Sequence, residues 1–254
     1  MIKNIRVEGL ILSGPPFHIL ARKEDIAERA IVVGDPGRVV ILKDLLDSPR
    51  IVNEHRGLLT VTGKYKGVLV TIATHGIGGP SSAIVFEELG MLGVKIFVRL
   101  GTAGGFLPEL KIGTVVVASS AAHYPGGTIG QYIPSTCMAN GAHPELTYRI
   151  MEELRKNNIN FTLGPVLSSD AFYAEDPEFA RKWARYGVVA VEMECATLFA
   201  LGWMRGWKTA CVLVISDNLL EMEKEPKFAT TMDLKEVFNR VAKAVLDTII
   251  TIEP

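Results

Sequence analysis

Short apolar runs separated by polar turns recur along most of the chain, and they predict a series of buried strands. Each run is brief and rich in β-branched residues, which is typical of strands in the interior of a sheet. Several runs are followed by stretches with helical spacing, so an α/β sheet flanked by helices is expected. The runs lie at residues 30–33, 68–73, 95–100, 115–118, 163–167, 188–191 and 209–215.

Two patterns refine this α/β prediction. The runs 58–62 and 68–73 flank the sequence GKYKG, which predicts a hairpin and therefore a mixed sheet. Neither a repeat nor a Pro/Ser-rich linker divides the chain, so residues 1–254 are interpreted as one domain with an N-terminal extension at 1–16. An amphipathic helix is predicted at the end of the chain from the apolar residues Leu234, Val237, Phe238, Val241, Val245 and Ile249.

The charge balance argues against polyanionic or membrane partners. The 254 residues include 27 basic and 28 acidic side chains, which gives a net charge of -1. There is thus no overall field to attract nucleic acid or an anionic membrane, and a small-molecule partner is expected. No apolar run approaches the roughly 18 residues of a transmembrane helix, and no signal-peptide pattern opens the chain. A cytoplasmic enzyme is the resulting expectation.

The cysteines and histidines form no pattern that predicts a metal site. Three cysteines and five histidines are scattered without ligand spacing, so no metal is expected. Cys195 and Cys211 lie in apolar runs and are interpreted as small core residues. Cys137 lies in a loop-like stretch, where it is either free or joined to a second subunit.

The sequence VVAVEMECA at 188–196 brings two carboxylates directly after an apolar run. We interpret 188–191 as a buried parallel strand, and carboxylates are seldom buried unless they are paired or functional. Glu192 and Glu194 point the same way if the strand continues, or the strand ends between them. In open α/β sheets ligands bind at the carboxyl ends of strands, so these residues are candidates for a ligand site. A structural ion pair is the alternative.

Three arginines are candidates for binding an anion. Gly34 to Arg38 follows a strand and opens a helical pattern, which would present backbone N–H groups to an anion, although a plain turn would use the same residues. Arg99 lies near the end of an apolar strand, and a glycine-rich turn is expected at 101–105. Together with Arg56 they would suit a phosphate. The alternative for Arg99 is a buried ion pair with one of the two glutamates.

A further acid follows the last predicted strand. Ser216, Asp217 and Asn218 come at the carboxyl end of 209–215. These residue types are also favoured in turns and helix caps, which is the structural alternative. Because two predicted strands each end in a carboxylate, their ends are expected to converge on one crevice.

Taken in order, these segments resemble the nucleoside phosphorylase family, which includes hexameric purine nucleoside phosphorylase, methylthioadenosine phosphorylase and uridine phosphorylase. The similarity is greatest to the archaeal methylthioadenosine and purine nucleoside phosphorylases. The matching segments are FHILA at 17–21, GDPGR at 34–38, NEHRG at 53–57, THGIGGPS at 74–81, RLGTAGG at 99–105, SSDAFY at 168–173, VEMECATLF at 191–199 and ISDN at 215–218.

The resemblance implies a fold, an assembly and a set of binding residues. The fold would be a single α/β domain around a mixed, partly barrel-like central sheet, assembled as a hexamer built from dimers whose partners share active sites. Asp217 matches the acid beside purine N7, which is the expected catalytic residue. The other matches are Gly34, Arg38, Arg99, Thr102 and the neighbouring subunit's position Arg56 for phosphate; Met193, Glu194 and the partner position His18 for ribose; and Phe172, Ser216, Gly104 and Val191 for the base.

The implied activity is reversible phosphorolysis of purine nucleosides, including inosine, guanosine, adenosine or 5′-methylthioadenosine. Inorganic phosphate is the co-substrate and no other cofactor is implied. Glu175 and Asp176 stand where the uridine branch carries glutamine and arginine, which favours purines. Lys224 is the only cation in 219–226, where bacterial purine enzymes place an assisting arginine. A uridine phosphorylase, a hydrolytic nucleosidase and a non-catalytic nucleoside-binding protein are the alternatives.

Overall fold

Nine strands form one mixed sheet in the computed structural model, which describes residues 16–174, 176, 178–221 and 227–254. The predicted extension before residue 16, together with Glu175, Pro177 and Lys224, lies outside the described residues. The strands are β1 (Arg29–Val33), β2 (Asp47–Asn53), β3 (Thr60–Tyr65), β4 (Val68–Thr74), β5 (Ile96–Gly105), β6 (Val115–His123), β7 (Phe161–Ser168), β8 (Ala190–Glu192) and β9 (Lys208–Asn218).

Seven α-helices flank this sheet in the described part of the chain. Short 3-10 turns occur at Lys23–Asp25, Lys43–Leu45 and His55–Gly57. No helix in the described ranges is both long and apolar enough to cross a membrane. The helices are α1 (Pro36–Leu42), α2 (Gly78–Met91), α3 (Gly127–Tyr132), α4 (Pro144–Lys156), α5 (Phe179–Arg185), α6 (Cys195–Arg205) and α7 (Lys235–Ile249).

Part of the sheet closes into a barrel. The strand order is β2-β3-β4-β1-β5-β8-β7-β6-β9, and β9 also pairs with β5. Strands β5, β8, β7, β6 and β9 therefore form a closed five-stranded ring, while β1 to β4 extend from it as an open wing. This arrangement confirms the predicted mixed, partly barrel-like central sheet.

Each predicted apolar run falls on a strand, and the hairpin is confirmed. Strands β3 and β4 are antiparallel and turn through Lys66 and Gly67, both of which have positive φ, as two-residue hairpin loops prefer. Strand β2 was not predicted. It is an edge strand that pairs only with β3, and most of its residues are exposed, so it lacks an apolar run.

The glycine-rich segment 101–105 is strand rather than turn, which corrects the prediction. It forms the second half of β5 and pairs with β9, from Gly101 opposite Leu213 to Gly105 opposite Asn218. Its glycines instead leave room for the side chains of Arg99 and Leu219 to approach the backbone of β5. A Cβ on Gly101 would lie 1.8 Å from Arg99 Nη1, and a Cβ on Gly104 would lie 2.2 Å from a methyl group of Leu219.

The direction of β8 also differs from the prediction in part. It is parallel to β7, as expected, but antiparallel to β5, with Gly104 opposite Val191 and Gly105 opposite Ala190. The chain that leaves β8 at Glu192 therefore runs back along β5. The two acidic strand ends are not equivalent carboxyl ends of parallel strands, because β9 is parallel to β5.

The C-terminal amphipathic helix is confirmed as α7, with Leu234 as its N-cap residue. Phe238, Val241, Val245 and Ile249 are essentially buried and belong to the apolar layer between the sheet and helices α1, α4 and α7. Burial of each such side chain contributes about 1.5–3 kcal/mol. Helices α2 and α6 cover another part of the sheet.

Gly202 lets α6 lie directly on β9. A Cβ at this position would be 2.6 Å from the Thr209 methyl group and 2.7 Å from its hydroxyl oxygen. Thr209 is buried on β9 and is β-branched, so it has little freedom to move aside. Since α6 begins directly after Glu194, this contact also helps to set the position of that carboxylate.

We expect Gly202→Ala to destabilise the protein by about 1–3 kcal/mol through overpacking. Gly130 of α3 is the matched control, because a Cβ there would meet no atom within 4 Å. Gly130→Ala should be neutral or stabilising by about 0.5–1 kcal/mol. Urea unfolding midpoints of both variants measure the difference, and equal midpoints would refute the close approach of α6 to β9.

Candidate active site

A buried cluster of charges lies where β8 passes back along β5. Arg99 of β5 forms ion pairs with Glu194, through a short contact, and with Glu192 at 3.4 Å. All three side chains are at most about 5% exposed. Glu194 and then Glu192 outweigh the effect of burial and raise the pKa of Arg99 above its usual value. The ion pair considered as the alternative for Arg99 is thus present, and it involves both glutamates.

Glu192 is fixed by hydrogen bonds from the turn that follows β8. It accepts from the backbone N–H groups of Glu194 and Cys195 at 2.8 and 2.9 Å, and from the hydroxyl of Ser168. The Ser168 oxygen in turn accepts from the N–H of Ala196 at 2.9 Å. Burial nevertheless raises the pKa of Glu192. These contacts identify Glu192 as the anchor of the β8–α6 turn.

Glu194 is the N-cap residue of α6 and reaches the start of α2. Its carboxylate accepts from the N–H of Gly78 at 2.6 Å, besides its contact with Arg99. Burial opposes its charge, but Arg99 more than compensates and lowers the pKa of Glu194. Met193 lies beside it, half-buried, and lines a cavity of about 570 Å³.

Arg38 and Thr102 adjoin this cluster, as the resemblance implies for phosphate-binding residues. Arg38 of α1 donates to the hydroxyl of Thr102 at 3.0 Å, and its guanidinium lies 4.7 Å from the centre of the Phe238 ring. Burial and then the charge of Arg99 lower the pKa of Arg38 to about 10. Among the described residues no carboxylate lies within salt-bridge distance of it. A buried cation without a carboxylate partner favours an anionic ligand.

The expected base residues meet around Gly104. This glycine pairs with Val191 on one side and with Asp217 on the other. A Cβ at Gly104 would lie 3.0 Å from an Asp217 carboxylate oxygen, so only glycine leaves this space open. Asp217 accepts from the Ser216 hydroxyl at 2.7 Å, but burial outweighs that bond and raises its pKa. Asp217 can therefore hold a proton at higher pH than an ordinary aspartate.

Phe172 lies outside this group. It is 69% exposed, and its ring contacts that of Tyr173 at 5.0 Å. Among the described residues no hydrogen bond or ring contact joins Phe172 to Ser216 or Asp217. The adjacent residues Ser169 and Asp170 line the cavity beside Met193, so the loop that carries Phe172 borders that cavity.

His18 and Arg56 form a second group, away from the buried charges. Nδ1 of His18 lies 2.7 Å from Glu88 near the end of α2, and His55 contacts the His18 carbonyl at 3.4 Å. Arg56, next to His55, is exposed and has φ 56°. Glu88 is ten residues beyond Gly78 on α2, which corresponds to about 15 Å along the helix. Within one chain His18 is thus remote from Glu194.

Three residues of the buried cluster, namely His75, Gly78 and Ser168, are not among the site residues predicted from the sequence. His75 and Gly78 belong to the THGIGGPS segment, which was noted only as part of the resemblance. Ser168 precedes the loop with Phe172 and bonds Glu192. Their partners are distant in sequence, so no local spacing could have assigned these roles.

Comparison with known proteins agrees with this geometry. The model of the Phosphorylase superfamily matches residues 28–251. The chain belongs to this superfamily. Its predicted resemblance to the nucleoside phosphorylases is thereby confirmed.

Named relatives of this phosphorylase superfamily member differ in the base they act on. A guanosine phosphorylase of Halorubrum lacusprofundi is 36% identical over 80% of this chain and 83% of its own length. A uridine phosphorylase of Thermococcus kodakarensis is 34% identical over 83% of this chain and 80% of its own. The purine nucleoside phosphorylase of Toxoplasma gondii, solved with immucillin-H, has a TM-score of 0.84 and 26% identity, covering 92% of this chain and 96% of its own. These relatives belong to one superfamily but are named for different bases.

Burial of His75 makes a testable contribution to the pH dependence of stability. Its ring is fully buried, and burial lowers the pKa of His75 to about 3. Between about pH 3 and the usual histidine value near 6.5, the unfolded chain binds a proton that the folded chain does not. The folded state therefore loses stability as pH falls through this window.

We expect His75→Phe to remove this loss. Relative to wild type, the variant should gain up to about 1.4 kcal/mol for each pH unit below 6.5. Denaturant midpoints at pH 4, 5, 6 and 7 give the comparison, with the exposed His55→Phe as control. Parallel curves for wild type and His75→Phe would show that His75 is not held neutral.

Proposed function

We propose that this enzyme catalyses the reversible phosphorolysis of purine nucleosides. The products are the free base and ribose or deoxyribose 1-phosphate, or its 5-methylthio analogue when 5′-methylthioadenosine is the substrate. Inorganic phosphate is the co-substrate, and no other cofactor is invoked. The observation that supports this best is the juxtaposition of Arg38, buried without a carboxylate partner, with the Arg99–Glu194 pair.

The proposed reaction assigns one task to each group. Phosphate binds at Arg38, Arg99, Thr102 and the Gly34 backbone, while Glu194 accepts hydrogen bonds from the ribose hydroxyls. A phosphate oxygen forms a bond to C1′ as the C1′–N9 bond breaks, and its electrons pass into the purine. Asp217 gives its proton to N7 of the leaving base and later recovers one from solvent.

We favour purines over uridine as substrates because of Asp217, the acid that would protonate the leaving base. A purine leaves more readily when N7 is protonated, and Asp217 has its pKa raised by burial beside Gly104. A uracil ring has no N7 to receive this proton. Uridine phosphorolysis remains the second candidate, because a relative that is 34% identical is named uridine phosphorylase.

Product analysis tests the proposed function directly. Purified protein is incubated with inosine, 5′-methylthioadenosine or uridine, each with and without inorganic phosphate. We expect phosphate-dependent release of the purine together with the pentose 1-phosphate. Release of base without phosphate would identify a nucleosidase, and preferential cleavage of uridine would overturn the choice of base.

The role of Asp217 predicts a selective loss of turnover. Asp217→Asn cannot donate the proton, so kcat on inosine should fall by about 10²–10⁴-fold while nucleoside still binds. In the wild type, activity should decline as pH rises through the raised pKa of Asp217, because only the protonated acid donates. The exposed Asp47→Asn on edge strand β2 is the control, and near-wild-type turnover by Asp217→Asn would remove Asp217 from the mechanism.

We further propose that a homodimer completes each site, with His18 and Arg56 supplied by the partner. This proposal is supported by the exposed position of Arg56 and by the roughly 15 Å along α2 between Gly78, which contacts Glu194, and Glu88, which contacts His18. The resemblance extends it to a hexamer built from such dimers.

Mixing two inactive variants tests this sharing. Arg56→Ala and Asp217→Asn should each be inactive, but after co-refolding about a quarter of the sites combine intact Asp217 with an intact partner arginine. Recovery towards about a quarter of wild-type activity is therefore expected. If Arg56 acts within its own chain, no mixed dimer has an intact site and activity stays absent.

A further inference from the structure

His75 is a buried histidine to which the proposed reaction gives no task. Its backbone joins three elements of the site: its N–H donates to the Val33 carbonyl at 2.8 Å, and its carbonyl accepts from the Ser81 hydroxyl at 2.7 Å. It follows β4 directly and precedes the start of α2. The ring is thus held between the Gly34 loop and the α2 N-terminus.

The ring has apolar packing but lacks a polar partner. It is 0% exposed and meets Phe86 edge-on at a centroid distance of 5.4 Å. Its Cε1 lies 3.6 Å from where a Cβ on Gly34 would be. Neither ring nitrogen has a hydrogen-bond partner of good geometry among the described residues. A buried donor without a partner is unfavourable, so a partner in the ligand-bound enzyme is expected.

The charged groups around the ring indicate which hydrogen-bond partner His75 would have in the ligand-bound enzyme. Burial keeps the ring neutral, and Glu194 is the charged group that most favours a proton on it, while Arg99 and Arg38 oppose one. The geometry agrees, because the Glu194 carboxylate already accepts at 2.6 Å from the N–H of Gly78, three residues beyond His75. A neutral imidazole has one N–H to donate.

Phosphate binding would change the surroundings of Glu194. In the present structure its carboxylate is satisfied by Arg99 and by the Gly78 N–H. If Arg99 turns to phosphate, Glu194 loses a buried cation and needs another donor to remain in place. A neutral N–H can supply the bond without competing for the phosphate.

We propose that His75 is a positioning residue that donates its ring N–H to Glu194 when Arg99 engages phosphate. The bond keeps the carboxylate oriented towards the ribose hydroxyls. This inference rests on the proposed function, in which Arg99 binds phosphate and Glu194 binds ribose. It predicts that His75 affects nucleoside binding and, because the bond forms when phosphate binds, phosphate binding as well.

Steady-state kinetics measure the effect of His75 on nucleoside binding and on phosphate binding. His75→Phe keeps the ring packing against Phe86 but has no N–H, so KM for the ribonucleoside should rise about 10- to 100-fold at saturating phosphate. KM for phosphate should rise as well, because the lost bond forms when phosphate binds, and His75→Gln, which restores a donor, should recover part of both losses. The defect should shrink with a 3′-deoxynucleoside, which makes one fewer bond to Glu194. A defect confined to phosphate KM, or wild-type kinetics in His75→Phe, would overturn the proposal.

Imidazole NMR of the intact protein gives a second test that needs neither a variant at His75 nor turnover. With ¹⁵N-labelled histidine, inorganic phosphate should shift the His75 N–H proton downfield, and Glu194→Gln should remove most of that shift. An N–H signal that phosphate leaves unchanged would overturn the proposal. Because the wild-type product assay is separate, an enzyme that fails to phosphorolyse nucleosides disproves the proposed function without deciding this contact.

Discussion

Arg99 lies between two buried carboxylates, and much of the local structure is arranged to make that possible. A buried charge is tolerated only when it is paired and hydrogen-bonded, and removing one partner typically costs about 3–5 kcal/mol. Glu192 meets this condition through the N–H groups that open α6, and Glu194 through the N–H at the start of α2. The β8–α6 turn, the start of α2 and the middle of β5 are therefore fixed relative to one another by one guanidinium.

The same pairing couples the two halves of the candidate site. Glu194 and Arg99 satisfy each other in the unliganded chain, yet the proposed reaction needs the first for ribose and the second for phosphate. Binding of phosphate to Arg99 would weaken its hold on Glu194 and free that carboxylate for the sugar. Phosphate and nucleoside would then favour each other's binding. Phosphate engages Arg99 and leaves Glu194 available to ribose, and ribose engages Glu194 and leaves Arg99 available to phosphate.

The sequence predicted those features that depend on local pattern. Buried strands carry apolar runs, so they could be located, whereas β2 escaped notice because an exposed edge strand needs no such run. The direction of β8 could not be known, because a strand's own residues do not specify its neighbours. The segment 101–105 was misassigned since glycines that admit Arg99 and Leu219 look the same as turn glycines. No local sequence pattern marked His75, because the residues around its ring come from β1, α2 and α6.

The balance of charge supports the proposal that one chain alone does not form a complete site. Arg38 and Arg99 face Glu192 and Glu194, so these four groups have no surplus positive charge if all are ionised, and Asp35 adds a further negative charge near Arg38. A dianionic phosphate entering this cluster would meet little net attraction at long range. An additional arginine from outside would supply the missing charge, and Arg56 is an exposed arginine that the resemblance assigns to the neighbouring site. On this view dimer formation does more than complete the pocket wall, because it adds a positive charge to the field that phosphate encounters.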